Sequence, residues 1–211
     1  MIKRLISIIF MSFLISSCGL LNEINYVDVA TEVKNIILDT GDLKITEEYY
    51  DNAKASFAKI KFGRGSNYAV VYLKSIENEI SIWESSDNIE LHTFKGKVIK
   101  TVGFENDIDI KYFNNFSFEK KEIFNSLSFS NPLLINSPIN YSIDFDIVEE
   151  IEFLEKERKV SRYVETFIAE DIGWKGKNTY FVDETLNVIR TYQRIGPFKD
   201  VVEIEYYFKY N

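Results

Sequence analysis

The stretch Val201–Tyr210, VVEIEYYFKY, alternates with a period of two. Val202, Ile204, Tyr206 and Phe208 fall on one face, and Glu203, Glu205, Tyr207 and Lys209 on the other. Successive side chains of a strand point to opposite sides, so this reads as a strand with the first set inward and the second outward.

The same period recurs upstream. In ASFAKIKF, Ala58, Ile60 and Phe62 share one face and Lys59 and Lys61 the other. YAVVYL, Tyr68–Leu73, is continuously apolar and reads as a central strand. EISIWE and IELHTF alternate, and Lys95-Gly96 joins IELHTF to KVIKTVGF as a hairpin with glycine free to take positive φ. Tyr141, Ile143, Phe145 and Ile147 alternate with Ser142, Asp144 and Asp146. VSRYVETFIAE, NTYFVD and NVIRTYQRI follow, the last two joined by Asp183–Leu186, and Gly196-Pro197 turns the chain into the closing strand. Residues 114–140 are less regular, rich in Asn and Ser with Pro132 and Pro138, and predict one short helix near Phe118–Leu127 and otherwise loop. Roughly ten or more strands in succession predict an all-β antiparallel sandwich or curled sheet. Seventeen Phe and thirteen Tyr agree with that class.

The N-terminus has a different logic. Lys3-Arg4 precedes an apolar run, Leu5–Ile15, broken only by Ser7 and Ser12. This is a signal-peptide pattern, too short for a spanning helix of about 20 residues. It ends Ile15-Ser16-Ser17-Cys18, a lipobox: an aliphatic residue, two small residues that admit the peptidase, then the thiol that takes the lipid. We expect a signal over residues 1–17, attachment of acyl chains such as palmitate at Cys18, a tether over 18–25 and one β-rich domain over 26–211, opened by an amphipathic helix at Tyr26–Leu38. Gly19, where Asp would retain the protein in the inner membrane, points to the outer membrane, facing the periplasm.

Without residues 1–17 the chain has 23 basic and 33 acidic side chains, a formal charge of −10. That field disfavours nucleic acid and anionic lipid as partners. Cys18 is the only cysteine and His92 the only histidine, so neither a disulfide nor a zinc site of the usual kind is expected, and no cofactor. His92 should face solvent from its strand. Gly63-Arg64-Gly65 lacks the rest of a phosphate-binding fingerprint, and no Gly-x-Ser-x-Gly is present. Asp144 and Asp146 share a strand face at about 6.5–7 Å, near the separation in inverting glycosidases, although a solvated face is the plainer reading. Glu149, Glu150, Glu152, Glu155 and Glu157 read as an acidic edge that blocks strand-to-strand aggregation. Trp83, Trp174 and the outward Tyr207 are candidates for stacking on sugar rings, against the commoner role of packing.

Three blocks carry a resemblance: the helix after the anchor; YAVVYLKSIENEISIWESSDNIELHTFKGKVIKTVGF, with Trp83 before Ser-Ser-Asp and a hairpin running into Lys100-Thr101-Val102; and NTYFVDETLNVIRTYQRIGP with the closing strand. In that order they resemble the YjbF/GfcB family of outer-membrane lipoproteins of group 4 capsule and exopolysaccharide production. The resemblance implies a periplasm-facing, non-enzymatic accessory factor whose partners are polysaccharide-export proteins, the glycan or both. It supplies no catalytic residue. Two other readings stay open: a carrier of apolar ligands, which a large apolar cavity would favour, and a carboxylate glycosidase, which two buried acids in an open groove would favour.

The lipobox makes a direct prediction. Cys18→Ser abolishes labelling by a fatty-acid analogue and releases the protein from membranes; a variant cleaved and membrane-bound like wild type would show that Cys18 is not the anchor.

Overall fold

The computed structural model describes residues 43–63, 68–113, 116–119, 123–131, 133–197 and 201–209. The signal, Cys18, Gly19 and the helix expected at 26–38 lie outside the described residues. A short helix, α1 (Glu47–Asn52), is capped by Thr46, whose Oγ1 accepts from the Tyr49 N–H at 3.1 Å. Twelve strands follow: β1 (Phe57–Phe62), β2 (Tyr68–Glu77), β3 (Ile80–Glu84), β4 (Glu90–Phe94), β5 (Lys97–Val102), β6 (Ile108–Lys111), β7 (Ile123–Phe129), β8 (Leu134–Phe153), β9 (Lys156–Ala169), β10 (Trp174–Val182), β11 (Val188–Arg194) and β12 (Val201–Tyr207).

Each strand pairs antiparallel with its sequence neighbours, and β1 pairs with β12 from Phe57↔Tyr207 to Phe62↔Val202. The all-β expectation holds, but the sheet is a closed barrel, not a sandwich or an open curled sheet. Period-two patterning cannot distinguish these outcomes. Closure depends on the first and last strands meeting, and it removes both free edges.

Two local expectations are overturned. Residues 123–129 and 134–140 are strand, not helix and loop. Ile123 and Leu127 lie four apart, as on a helix, but Ile123, Asn125, Leu127 and Phe129 alternate inward along β7. The buried Asn125 interrupts the apolar face and hides the period. Pro138 sits exposed within β8, opposite Ser126. In β8 the inward series stops at Ile143. The register shifts between Phe145 and Ile147, leaving Asp146 as the extra residue. Beyond that point Phe145 is 56 % exposed, and Ile147 and Val148 are exposed too.

A twelve-stranded barrel encloses more room than aliphatic side chains fill. Large side chains occupy it: Trp83, Tyr180, Tyr206, Phe116 and Phe167 are fully buried. Their polar atoms find partners, as when the Trp83 indole N–H donates to Thr93 Oγ1 at 2.9 Å. The tip of the β4–β5 hairpin is drawn inward. Gln193 Nε2 and the Tyr206 hydroxyl both donate to the Gly96 carbonyl, at 2.7 and 3.0 Å. Gly96 has φ +77°, and a Cβ there would lie 2.6 Å from Val188 Cγ1, so both the turn and the contact require glycine.

The interior also holds a charge pair. Lys97 Nζ meets Glu165 Oε2 at 3.0 Å, with both side chains buried. Tyr180 Oη donates to the same oxygen at 2.9 Å and Asn178 Nδ2 to Oε1 at 2.8 Å. The ammonium lies 3.2 Å from the centre of the Tyr141 ring. Burial pushes Lys97 below its ordinary range and the Glu165 charge opposes that. Such a pair is costly to bury and costlier to break.

Lys97→Met strands the Glu165 carboxylate in the core, and should lower the unfolding free energy in urea by about 3–5 kcal/mol. Lys97→Met with Glu165→Gln should recover most of that loss, because the Gln carbonyl oxygen can still accept from Asn178 while its amide N–H donates to the Tyr180 hydroxyl. Equal loss in the single and double variants would mean that shape, not charge, governs this site.

Candidate functional site

The outward face of β12 is not solvated. Tyr207 is 3 % and Glu205 5 % exposed, against the expectation for both. The Tyr207 ring stacks between Phe57, at 4.7 Å between centroids, and Phe153, at 5.0 Å. Phe153 ends β8, so the tip of the β8–β9 hairpin packs on the outer face of β1 and β12. Tyr50 of α1 approaches the same ring at 6.5 Å.

Register then builds a charged cleft. Lys59 of β1 faces Glu205 of β12, which faces Arg190 of β11. In the next row Lys61 faces Glu203, which faces Tyr192. Lys59 Nζ lies 2.6 Å from Glu205 Oε2, and Arg190 Nη2 2.6 Å from Glu205 Oε1. Tyr207 Oη donates to Glu205 Oε2 at 2.8 Å, and Tyr192 Oη to Glu203 Oε1 at 3.2 Å. Two segments cover the row. Leu43 offers its carbonyl to Lys59 Nζ at 3.2 Å, and Glu152 offers its carbonyl to Arg190 Nη2 at 2.9 Å. Those segments are tied together by Lys44–Glu152 at 2.9 Å and by Lys156–Glu47. Between cover and sheet lies a cavity of about 450 Å³ lined by Lys59, Lys61, Tyr68, Arg190, Glu203 and Glu205. The buried Arg190 Nε–H has no hydrogen-bond partner within the described structure.

Burial alone would raise the Glu205 pKa. The Lys59 ammonium beside it, helped by Arg190 and the Tyr207 hydroxyl, outweighs burial and holds it below the ordinary range. Burial, and then the Glu205 charge, pushes the Tyr207 phenol far above its own range. An ionised carboxylate with both oxygens engaged cannot serve as a general acid. The cleft is arranged to hold charge and to bind, not to transfer a proton from Glu205.

The other sequence candidates do not assemble with it. Trp83 is sealed in the core, and Trp174 packs on Phe167 at 4.5 Å and Phe129 at 6.0 Å. With Tyr207 buried as well and Trp174 half-buried against two Phe rings, these three do not form one stacking platform. His92 is not freely solvated: its Nε2 lies 2.9 Å from Glu90 Oε2 and its side chain is 15 % exposed. Asp144 stays exposed beside Ser142. Asp146 binds Arg162 Nε at 2.7 Å from the bulge, so the regular spacing of the two acids is lost. Glu152 and Glu155, expected as a bare acidic edge, anchor the cover: Glu155 Oε2 accepts from the Glu47 N–H at 3.3 Å. Lys59, Arg190, Glu203 and Glu205 were missed as a set. The available signal was matched spacing, Lys-x-Lys at one end of the chain and Glu-x-Glu at the other, legible only once β1 is known to pair with β12.

A second concavity, about 650 Å³, lies along the outer face of β7–β10 beside Phe124, which is 68 % exposed, and Ile168. It is an apolar trough open to solvent, not the enclosed cavity of a carrier. Among the described residues no group of three or more His, Cys, Asp or Glu could hold a metal, and no helix is long and apolar enough to cross a membrane.

Residues 30–207 match the family described as "Group 4 capsule polysaccharide lipoprotein gfcB, YjbF". The fold is similar to the crystal structure of the hypothetical lipoprotein YmcC from Escherichia coli K12, with 18 % identity, a TM-score of 0.74, and coverage of 88 % of this chain and 95 % of that one. Weaker similarity extends to a protein described as a lipoprotein from Parabacteroides distasonis, with 10 % identity, a TM-score of 0.37, and coverage of 74 % and 95 %. An exported protein with a YmcC-like fold from Bacteroides fragilis gives 7 % identity, a TM-score of 0.35, and coverage of 72 % and 93 %. Curated proteins give no match.

The electrostatics of the cleft predict an acid-sensitive fold. Because the folded-state pKa of Glu205 is depressed, its contribution is complete above the ordinary carboxylate value of 4.5 and is lost as pH falls below it. Glu205→Gln should cost about 1–3 kcal/mol at pH 7. It should also lose less stability than wild type as the pH is lowered from about 5 to 2, through and below the ordinary carboxylate value, measured by urea unfolding. Parallel pH curves for the two proteins would exclude Glu205 as a source of the acid sensitivity.

Proposed function

The chain belongs to the family of group 4 capsule polysaccharide lipoproteins, and on that premise we propose that it is a lipid-anchored, non-enzymatic accessory factor in capsule or exopolysaccharide assembly or export. The observation that carries the reading is the extent of the match. Residues 30–207 include every strand of the barrel, so the family description attaches to the barrel as a whole. The anchor is Cys18, and Gly19 assigns the protein to the outer membrane, with the barrel on the periplasmic side.

The geometry supports a role in binding. The charged cleft holds Glu205 ionised between Lys59 and Arg190, the opposite of the raised pKa that a glycosidase acid requires. Leu43 and Lys44 of the cover precede β1 in sequence, on the same side as Cys18. A lipid anchor keeps the protein at high local concentration beside an export apparatus, which favours docking without requiring tight affinity for the polymer.

Deleting the gene should lower surface polysaccharide while synthesis continues, leaving polymer inside the cell or shortened. A form made soluble in the periplasm, with the signal exchanged and Cys18 removed, should rescue poorly. Full rescue by that form would refute the need for anchoring, and unchanged surface polymer in the deletion strain would refute the proposed function.

A further inference from the structure

The even-numbered strands end at one rim of the barrel, and there the structure holds a concavity separate from the charged cleft. It measures about 580 Å³, within the range of small-ligand sites, and barrel mouths are a common place for them. The β2–β3, β4–β5 and β10–β11 turns surround it together with the segment Ser117–Glu119.

Its walls are aromatic on two sides. Phe118 packs on Tyr163 at 4.7 Å, and Phe208 stacks on Tyr206 at 6.1 Å with 14° between the rings. Phe118, Tyr163 and Phe208 are only partly buried, so each keeps surface toward the cavity, whereas Tyr206 forms part of the sealed floor. Around them stand short polar groups: the hydroxyls of Ser81 and Ser117, the amide of Asn187, the carboxylates of Glu79 and Glu119, and the Lys95 ammonium. Apolar faces with hydroxyl, amide and carboxylate groups at the rim match a sugar ring, which has C–H faces and hydroxyl edges. Two carboxylates against one ammonium disfavour an acidic residue.

We propose that this mouth is a saccharide-binding site that grips an uncharged stretch of one or two sugar residues between the Phe118–Tyr163 and Phe208 walls. The choice of polymer rests on the capsule-polysaccharide reading above; the site itself rests on the geometry.

The chain has two tryptophans, and they make the test specific. Trp83 lies behind the mouth, 5.5 Å from Tyr206 and 5.8 Å from Phe208. Trp174 lies elsewhere in the core, against Phe129 and Phe167. The probe is the set of short oligosaccharides released by mild acid from the surface polysaccharide of the cell that makes this protein. They are titrated into the full-length protein in detergent, by calorimetry and by fluorescence. With Trp174→Phe, leaving Trp83 as reporter, emission should change on binding. With Trp83→Phe, leaving Trp174, calorimetry should register binding and emission should stay constant. Phe118→Ala should weaken binding about tenfold. Glu119→Ala, on the exposed rim, should weaken it severalfold without affecting the fold. No binding to wild type overturns the proposal, and if the deletion strain still loses surface polymer the accessory role stands without it. Binding that Phe118→Ala and Glu119→Ala leave intact, but Arg190→Ala removes, places the glycan in the charged cleft and overturns the mouth assignment.

Discussion

The pairing of Phe57–Phe62 with Val202–Tyr207 gives each of the twelve strands a partner strand on both sides. Two consequences follow. Inside, a closed wall of twelve strands encloses a volume that has to be filled, and the aromatic content of the chain is spent there on Trp83, Tyr180, Tyr206 and Phe167. Outside, the seam brings the lysines of β1 against the glutamates of β12. Without that pairing Lys59 and Glu205 would be separate charges; with it they meet beside Arg190, and the folded-over hairpin then buries them. One geometric constraint thus creates both the packed interior and the electrostatic feature on the exterior.

The two buried charge clusters differ in kind. Lys97 and Glu165 face each other in the core, and their neighbours Asn178 and Tyr180 complete the carboxylate's hydrogen bonds. That arrangement joins β5 to β9 across the barrel interior. The outer row of Lys59, Glu205 and Arg190 lies under a cover that is itself held by ion pairs at the surface. Surface pairs of this sort contribute little individually. Phe153 on Tyr207 therefore holds the cover more firmly than the charges at its margin do.

Much of the fold was legible in the sequence because strand periodicity is a local property. Val202, Ile204 and Tyr206 were placed inward, as were Ala58 and Ile60, and each is buried in the core. What escaped depends on partners distant in sequence. Tyr207 and Glu205 sit on a face that the pattern marks as outward, and it is outward from the barrel; only the folding over of the β8–β9 hairpin buries it. Asn125 in β7 and the bulge at Asp146 each break a period that a single sequence cannot repair. Likewise the aromatics most visible in the sequence, Trp83 and Tyr207, are those the fold conceals, whereas Phe118 and Phe208, inconspicuous in a chain with 17 Phe, keep surface at the mouth.

The strand order has a consequence for how the molecule assembles. Eleven of the twelve seams join strands adjacent in sequence, and the twelfth joins the first strand to the last. Neighbouring hairpins can zip with short loops, but the last seam closes a loop spanning nearly the whole domain, and loop closure of that length is slow. Until β12 has emerged and docked, β1 presents an unpaired edge and the core is open along one side. A chain made from its N-terminus therefore cannot complete its fold while any of Val201–Tyr207 is still being synthesised or moved across a membrane. During that interval the alternating lysines of β1, Lys59 and Lys61, guard the edge against pairing with a second chain.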